Sequence, residues 1–359
     1  MAKETNSPEA GLTTLAPGDV LSGEQSLPAE RCLDIFRLMT RARLLEECMI
    51  KMSKSGQGHF LIGGPGEEAF NICLGMQIKK GRGPAYDYLH LHYRNSAVML
   101  AMGMPMADAL RQMAMRITDP FSMGRNFSAH FSVKDWNVVP VTSVIEVQFA
   151  MAPGTALMQK RQKGRDGITV VIGGDAGTAE GDFASCMIWS SRPDNELPVL
   201  MITTNNGYGI STPAKTQHAE KHIIDRGKAF NIPGEVVDGN DPIATWHCIQ
   251  RAMKWCRKKR RPFMIEAMVS RLNGHSSSSG AVRNDEPDCL KMFEERLLKA
   301  GVLDETMRDQ IFAEAETEVD EELEKVLQEP EPTADDIMRF TYAPSEVDVV
   351  YPEDYTGLP

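Results

Sequence analysis

The sequence has no run of about 18 consecutive apolar residues, which excludes a membrane-spanning helix. It opens without a basic region followed by an apolar run, so we expect no secretory signal. The arginine-rich, acid-poor composition of a transit peptide is missing as well. A bacterial-type cytoplasm is therefore the expected location.

Paired cysteine motifs are absent too. The 7 cysteines are odd in number, scattered along the chain and never spaced CxxC. This pattern predicts reduced thiols rather than disulfides or a zinc site.

The chain also lacks an excess of basic residues. Its 39 lysines and arginines face 50 aspartates and glutamates, which leaves a formal net charge of −11. Because nucleic-acid binding needs a basic face, we expect neither nucleic acid nor an anionic membrane surface as the main partner. The one basic run, residues 254–261, is interpreted as the solvated end of a helix, where cations face the C-terminal dipole favourably.

What the sequence does contain is typical of a globular protein. Its 359 residues are 42% hydrophobic and 25% charged, enough for one large domain or two small ones. Apolar residues at helical spacing, with turn formers between them, predict helices over 31–52, 67–76, 96–115, 179–190, 242–259 and 286–328. Short apolar runs predict strands over 168–172, 197–203 and 262–269, and residues 119–137 are predicted to be a loop.

Strands that alternate with helices predict an α/β fold, a doubly wound parallel sheet flanked by helices. We expect a flexible arm over residues 1–28, the α/β domain over 29–285, and a helical C-terminal segment with an irregular tail over 286–359. Ligands of such sheets bind beyond the carboxyl ends of the strands. This places three polar loops at one rim: Gly173–Gly177, Asn205–Tyr208 and Gly274–Ser277.

The first of these loops carries the strongest chemical signal. Glycines after a strand allow the backbone to approach a phosphate, but Asp175 in the same turn would repel a bare phosphate. A divalent cation between the two removes the conflict, and Asp175, Asn206 and the carbonyl of Tyr208 offer the oxygen ligands that Mg²⁺ or Ca²⁺ prefers. From residue types alone, a plain strand–turn–helix corner with Asp175 as N-cap is an equal alternative.

Asp175 followed by Asn205-Asn206 resembles the thiamine-diphosphate signature, a Gly-Asp-Gly turn with Asn-Asn further along the chain. The string Asn-Asn-Gly-Tyr-Gly-Ile-Ser-Thr-Pro at 205–213 resembles the alpha subunits of branched-chain 2-oxo acid dehydrogenases. Further blocks follow in the order of that family over roughly residues 30–330: Gly66-Glu-Glu68, Tyr93-Arg94, Gly124-Arg125 with His130, Gln148, Phe230–Gly234 and Gly274–Ser277.

One position departs from the signature. Its third residue is Ala176, and the glycine follows at 177. If that position requires a positive φ, alanine would be strained by about 1 kcal/mol. Its methyl group would also crowd a diphosphate, so the resemblance leaves a cofactor-free scaffold subunit as one alternative.

The resemblance implies a role for each matching residue. The thiamine-diphosphate-binding residues that it implies are Tyr93, Arg94, Ser143, Ile145, Gly174, Asp175, Ala176, Gly177, Asn206 and His275. Asp175, Asn206 and Tyr208 would hold Mg²⁺, Ile145 would bend the cofactor, and Phe60 would line the acyl pocket. His275 is the implied catalytic residue. His92 is expected to line the cofactor cleft, with a metal pair of His90 and His92 as the alternative.

The resemblance implies a thiamine-diphosphate-binding fold and decarboxylation of a branched-chain 2-oxo acid, 3-methyl-2-oxobutanoate, with transfer of the acyl group to lipoamide. It implies a beta subunit in an alpha2-beta2 heterotetramer and a lipoyl-bearing acyltransferase as the next component. Pyruvate and acetoin dehydrogenase alpha subunits are alternatives, because one methylene of substrate is worth only about 1–3 kcal/mol. A dinucleotide-binding protein is a further rival, but the glycine spacing is not GxGxxG.

Overall fold

The computed structural model describes residues 19–162, 164–279 and 283–339. Its strands, in chain order, are β1 (Asp19–Ser22), β2 (Gln25–Pro28), β3 (Tyr88–His90), β4 (Thr169–Gly174), β5 (Val199–Asn205), β6 (Tyr208–Gly209), β7 (Thr212–Pro213), β8 (Gly234–Asp238) and β9 (Phe263–Met268). Its α-helices are α1 (Ala29–Ser55), α2 (Glu68–Gly75), α3 (Ser96–Ala101), α4 (Met106–Met113), α5 (Val147–Arg161), α6 (Gly181–Ser190), α7 (Pro242–Lys259), α8 (Cys289–Lys299), α9 (Glu305–Leu327) and α10 (Ala334–Arg339). None of these helices is both long and apolar enough to cross a membrane.

A five-stranded parallel sheet forms the centre, in the order β3-β4-β5-β9-β8. Side chains along β4 alternate between its two faces, as the pleat of a strand requires. Val170 and Ile172 join the core beneath α1, α2 and α7, whereas Val171 joins the core beneath α5 and α6. The predicted α/β class, with helices on both faces of a parallel sheet, is confirmed.

Parallel strands bring their carboxyl ends to one rim of this sheet. The segment after β3 carries Tyr93 and Arg94, and the turn after β4 carries Asp175. Asn206 follows β5, and the chain after β9 leads to His275. The predicted strands at 168–172, 197–203 and 262–269 correspond to β4, β5 and β9.

The long first helix was also predicted from its apolar spacing. It ends where Gly56 adopts a left-handed conformation, with φ of 77°, and the Gly56 amide bonds back to the Met52 carbonyl. Its buried stripe packs against α9, where Phe36 and Phe312 meet edge to face with ring centroids 6.3 Å apart. Arg41 and Glu318 form an ion pair on the rim of this contact.

Four predictions differ from the structure. The helix expected over 286–328 is two helices, α8 and α9, separated by a turn in which Gly301 has φ of 67°. The helix expected over 96–115 is two helices, α3 and α4, because Gly103 has φ of 100° and Pro105 precedes α4 without an amide hydrogen to donate. The last ten residues of the expected arm form the hairpin of β1 and β2, which buries Val20 and Leu27; residues 1–18 lie outside the described residues. In the expected irregular tail, 334–339 is helical, and residues 340–359 again lie outside the described range.

Candidate functional site

Arg94 occupies the centre of the rim and is 4% exposed. Its guanidinium donates to the carbonyl oxygen of Gly63 and, at 2.9 Å, to Nδ1 of His275. Its Nε lies 3.9 Å from Oε1 of Glu67, at the start of α2. Segments that follow β3 and β9 therefore meet at this arginine, and two of the predicted site residues are in contact.

His275 is held in its neutral form by the same contact. Because Nδ1 accepts a hydrogen bond from Arg94, the imidazole proton is assigned to Nε2. Burial, with the nearby charges of Arg94 and Arg271, lowers the pKa of His275 to about 4. At neutral pH the ring is thus an uncharged hydrogen-bond donor through Nε2.

Tyr93 stacks between two histidines. Its ring centroid lies 3.7 Å from that of His92 and 6.4 Å from that of His275. His92 is buried, and its ring approaches the open side of Gly174, where it would lie 3.9 Å from an added Cβ. His90 instead bonds Thr155 at 3.0 Å, so the two histidines do not converge on one point as a metal pair would.

Asp175 and Asn206 come together at the ends of the adjacent strands β4 and β5. The Asp175 carboxyl is 1% exposed and accepts hydrogen bonds from the backbone amides of Ala176 and Asn206. Its Oδ2 has no hydrogen-bond partner within the described part of the chain. Burial raises the pKa of this carboxyl to about 6, although the backbone hydrogen bonds oppose the shift.

The strain expected at Ala176 does not occur. Asp175 and Ala176 open a short 3₁₀ turn, Ala176–Ala179, and Ala176 has no positive φ. An alanine fits this conformation without the cost that a left-handed residue would bear. The departure from the Gly-Asp-Gly signature therefore introduces no backbone strain.

Tyr208 completes this corner on the exposed side. It follows Asn206, whose side-chain oxygen accepts from the Tyr208 amide at 3.2 Å. The ring is 38% exposed and lies beneath the guanidinium of Arg271, 4.8 Å from its centroid. Arg271 thus tethers the loop after β9 to the loop after β5.

A second group of predicted residues lies beside the first. The Ser143 hydroxyl donates to Nε2 of His130 at 2.5 Å, because Nδ1 of that histidine donates to the Ser128 carbonyl. The His130 ring contacts Phe127, which packs edge to face on Phe60 with ring centroids 5.4 Å apart. Phe127 and His130 therefore connect Phe60 with Ser143. The sequence predicted no role for either of these two residues.

Ile145 stands out from the surface near this group. Its side chain is 53% exposed and that of Val144 is 66% exposed, although both are apolar. Two neighbouring apolar side chains held in water are unfavourable unless something covers them. The predicted wedge residue is therefore accessible to a ligand or a second chain.

A cavity of about 210 Å³ opens on the other side of His275. Its lining includes Ile50, Leu61, Gly63, Arg271, Gly274 and Ser277. The Gly63 carbonyl also accepts a hydrogen bond from Arg94, so Gly63 borders both the cavity and the rim of the sheet.

These residues fit a diphosphate and a divalent cation. Arg94 supplies a fork of donors, and Gly174 leaves room for close backbone approach. Asp175 supplies an unused oxygen beside the amide of Asn206. No group of three or more His, Cys, Asp or Glu side chains in residues 19–162, 164–279 and 283–339 is arranged to hold a metal.

Sequence reasoning missed two buried carboxyls at this rim. Glu67 is 1% exposed and takes hydrogen bonds from Thr204 and Asn206, which links the Arg94 side of the site to the Asn206 side. Glu67 lies in the block Gly66-Glu-Glu68, so the sequence indicated this segment but predicted no role for Glu67. Glu146 is also 1% exposed and packs against the turn of Asp175; no motif in the sequence points to it.

Comparison with known proteins gives consistent matches. A family model described as "Dehydrogenase E1 component" matches residues 36–335. The 2-oxoisovalerate dehydrogenase subunit alpha of Bacillus subtilis (strain 168) is 30% identical over 308 residues, covering 82% of this chain and 91% of that protein. The mitochondrial subunit of the same name from Caenorhabditis elegans is 29% identical over 267 residues, covering 74% of this chain and 60% of its own length. The subunit of the same name from Homo sapiens is 26% identical over 323 residues, covering 87% of this chain and 70% of that protein.

Proposed function

Because the chain belongs to the dehydrogenase E1 component family, we propose that it is the alpha subunit of a branched-chain 2-oxo acid dehydrogenase. It decarboxylates 3-methyl-2-oxobutanoate with thiamine diphosphate and passes the acyl group to lipoamide. The relatives named for 2-oxoisovalerate support this substrate. The observation that carries the proposal is the meeting of Arg94, Asp175 and Asn206 at one rim, with an unused carboxylate oxygen between them.

Bound thiamine diphosphate supplies the nucleophilic carbon and the electron sink for the decarboxylation. The chain's own residues bind and orient it. Arg94 and Tyr93 would hold the diphosphate, together with the turn of Gly174, Asp175, Ala176 and Gly177. Asp175, Asn206 and the Tyr208 carbonyl would bind Mg²⁺, whose charge would favour the ionised form of Asp175 and oppose the upward shift in its pKa.

The remaining residues set orientation and substrate. Ser143 and Ile145 would flank the aminopyrimidine, and the neutral His275 would supply a hydrogen-bond donor, Nε2, for the reacting centre. Phe60, packed on Phe127, lines the pocket for the branched acyl chain. No feature of the described residues favours pyruvate or acetoin over this substrate.

Partner chains complete the enzyme. A beta subunit covers the cofactor side of the rim, and the exposed Val144 and Ile145 support a second chain there. We propose an alpha2-beta2 assembly that delivers its acyl group to a lipoyl-bearing acyltransferase. Location in the cytoplasm stays a prediction, which fractionation of the source cells would test.

The decisive experiment co-expresses this chain with the beta subunit of the same source. Decarboxylation of 3-methyl-2-oxobutanoate and of pyruvate is measured with thiamine diphosphate and Mg²⁺. We expect a higher kcat/KM for 3-methyl-2-oxobutanoate and loss of activity in Asp175→Ala. The matched control is Asp182→Ala, which removes a carboxylate from the adjacent helix α6 and should keep activity.

Higher kcat/KM for pyruvate would overturn the substrate. A stable complex that neither binds thiamine diphosphate nor decarboxylates would overturn the enzyme and favour a scaffold subunit. Equal activity of wild type and Asp175→Ala would show that the cation site lies elsewhere.

A further inference from the structure

Glu146 is the most unusual buried side chain at the rim. Both of its carboxylate oxygens are buried without a hydrogen-bond partner among the residues that the structure describes. Its backbone is left-handed, with φ of 65°, which few residues other than glycine, asparagine or aspartate adopt. Burial raises its pKa to about 8; the nearby backbone amide of Gly174 opposes this shift, and the acidic groups Glu180, Asp182 and Asp175 add to it. Features this costly persist where the surrounding structure or a function requires them.

The left-handed backbone directs this side chain into the turn after β4. A Cβ added to Gly177 would lie 2.7 Å from both Cγ and Cδ of Glu146 and would overlap Oε1. A Cβ added to Gly173 would lie 2.7 Å from Cδ. Cγ is close to the backbone and the whole side chain is enclosed, so Glu146 cannot swing aside to make room.

A second pair of residues interlocks in the same turn. A Cβ added to Gly209 in β6 would lie 2.5 Å from the Cβ of Ala176. The turn is thus bounded on one side by Glu146 against Gly177 and on the other by Ala176 against Gly209. These contacts explain the order of residues in the turn. Position 177 faces Glu146 and carries no side chain, whereas position 176 carries a methyl group because the residue that faces it is Gly209.

We propose that Glu146 is a positioning residue for thiamine diphosphate: its side chain fills the space that Gly173 and Gly177 leave open and thereby fixes the turn that carries Asp175. Glu146 also connects the turn that carries Asp175 with Ile145, the predicted wedge residue, because it follows Ile145 directly in the chain. The inference rests on the proposed function for its ligand, but the shape relation between Glu146 and Gly177 is independent of any ligand.

A double-mutant cycle tests this relation in the full chain. Gly177→Ala should lower the melting temperature of the cofactor-free protein by about 3 °C or more, because its methyl group meets Glu146. In the background of Glu146→Ala the same substitution should lower it by less than about 1 °C, since the obstacle is gone. Gly181→Ala is the matched control: an added Cβ there meets no atom within 4 Å in the described structure, so the melting temperature should stay the same or rise.

The same variants, co-expressed with the beta subunit, are then titrated with thiamine diphosphate and Mg²⁺ by calorimetry. Gly177→Ala should raise the Kd at least about tenfold, and most of this loss should disappear in the Glu146→Ala background. Glu146→Ala alone should raise the Kd, because the turn loses its support. Glu146→Gln keeps the shape of the side chain and should leave the Kd within about threefold of wild type.

Equal harm from Gly177→Ala in both backgrounds would overturn the proposal. A Kd for Glu146→Gln as weak as that of Glu146→Ala would overturn it too, since the carboxylate charge rather than its shape would then matter to the ligand. If wild type itself fails to bind thiamine diphosphate, the proposed function is wrong, whereas the melting-temperature cycle still decides whether Glu146 fixes the turn. If Glu146→Ala does not fold, Glu146→Gly replaces it, because glycine removes the same obstacle and tolerates the left-handed backbone at this position. A Gly177→Ala variant that folds only in the Glu146→Ala background supports the proposal.

Discussion

Two clusters of buried charge among the described residues differ in how fully they are paired. One joins α1, α2 and α8: Arg43 bonds Glu68 at 2.6 Å and both oxygens of Asp288 at 3.0 Å. The second oxygen of Glu68 accepts from the Gly66 amide at 2.8 Å. Every carboxylate oxygen in this cluster has a partner without any ligand.

The other cluster lies at the rim of the sheet and is incomplete. Asp175, Glu67 and Glu146 each keep at least one buried oxygen that no group in the described structure satisfies. Burial raises the pKa of Glu67 to about 7, whereas in the first cluster the bonds from Arg43 outweigh burial and leave the pKa of Asp288 below its ordinary value. Paired buried charge holds elements together, whereas unpaired buried charge marks the place where a ligand is expected.

The largest effect should follow from breaking the paired cluster. Arg43→Leu leaves the buried Glu68 without a cation and Asp288 with only the half-exposed Arg283, and we expect a loss of about 3–5 kcal/mol in the free energy of unfolding, measured by urea denaturation. Arg41→Leu is the control, because its partner Glu318 is 37% exposed and such a pair contributes about 0–1 kcal/mol. Similar losses in the two variants would contradict the distinction.

Removing a buried charge at the rim should instead weaken cofactor binding without lowering the free energy of unfolding. Asp175→Asn should weaken Mg²⁺-dependent binding of thiamine diphosphate about a hundredfold, or about 2.7 kcal/mol, because the cation loses its carboxylate. The free energy of unfolding without cofactor should stay equal or rise, since an unpaired buried carboxyl is removed. A marked loss of stability would instead place Asp175 with the structural cluster.

The smallest effect on thiamine-diphosphate binding should come from Glu46, which lies between the two clusters. Its Oε1 accepts from Ser96 at 2.7 Å, and burial raises its pKa to about 7. Because the folded pKa exceeds the unfolded value of about 4.3, the native state keeps a proton that the unfolded state releases, so its contribution to stability is lost as pH rises from about 4.3 to 7.

Glu46→Gln should flatten that slope by about 3–4 kcal/mol across this pH range, measured by urea denaturation at several pH values. The Kd for thiamine diphosphate should stay within about threefold of wild type. A large rise in Kd would assign Glu46 to the rim, and an unchanged slope would mean that its carboxyl is ionised in the native state.

Much of the fold could be predicted because its elements carry local signals. The strands β4, β5 and β9 are continuous apolar runs, as expected of parallel strands buried on both faces. The three-residue β3 was missed because it is too short for a pattern, and the edge strand β8 because it is partly exposed. Helix α5 was missed because Pro153 and small residues obscure its periodicity.

The residues of the site also differ in whether the local sequence indicates them. Asp175 and Asn206 could be proposed because a carboxylate and an amide after adjacent parallel strands offer oxygen ligands at one rim. Glu146 could not, because its importance arises from a left-handed backbone and from contact with a turn more than 25 residues along the chain. Local sequence carries no sign of such a long-range contact.

The pairing of α1 with α9 has a consequence for how the chain is made. The contact of Arg41 with Glu318 joins residues 277 positions apart, so the first long helix leaves the ribosome well before its partner exists. At about 5–20 residues per second, this interval is on the order of 10–60 s. During that time the apolar stripe of α1 faces water or a chaperone. Efficient biogenesis of this subunit therefore depends on protection of α1 until α9 has been synthesised.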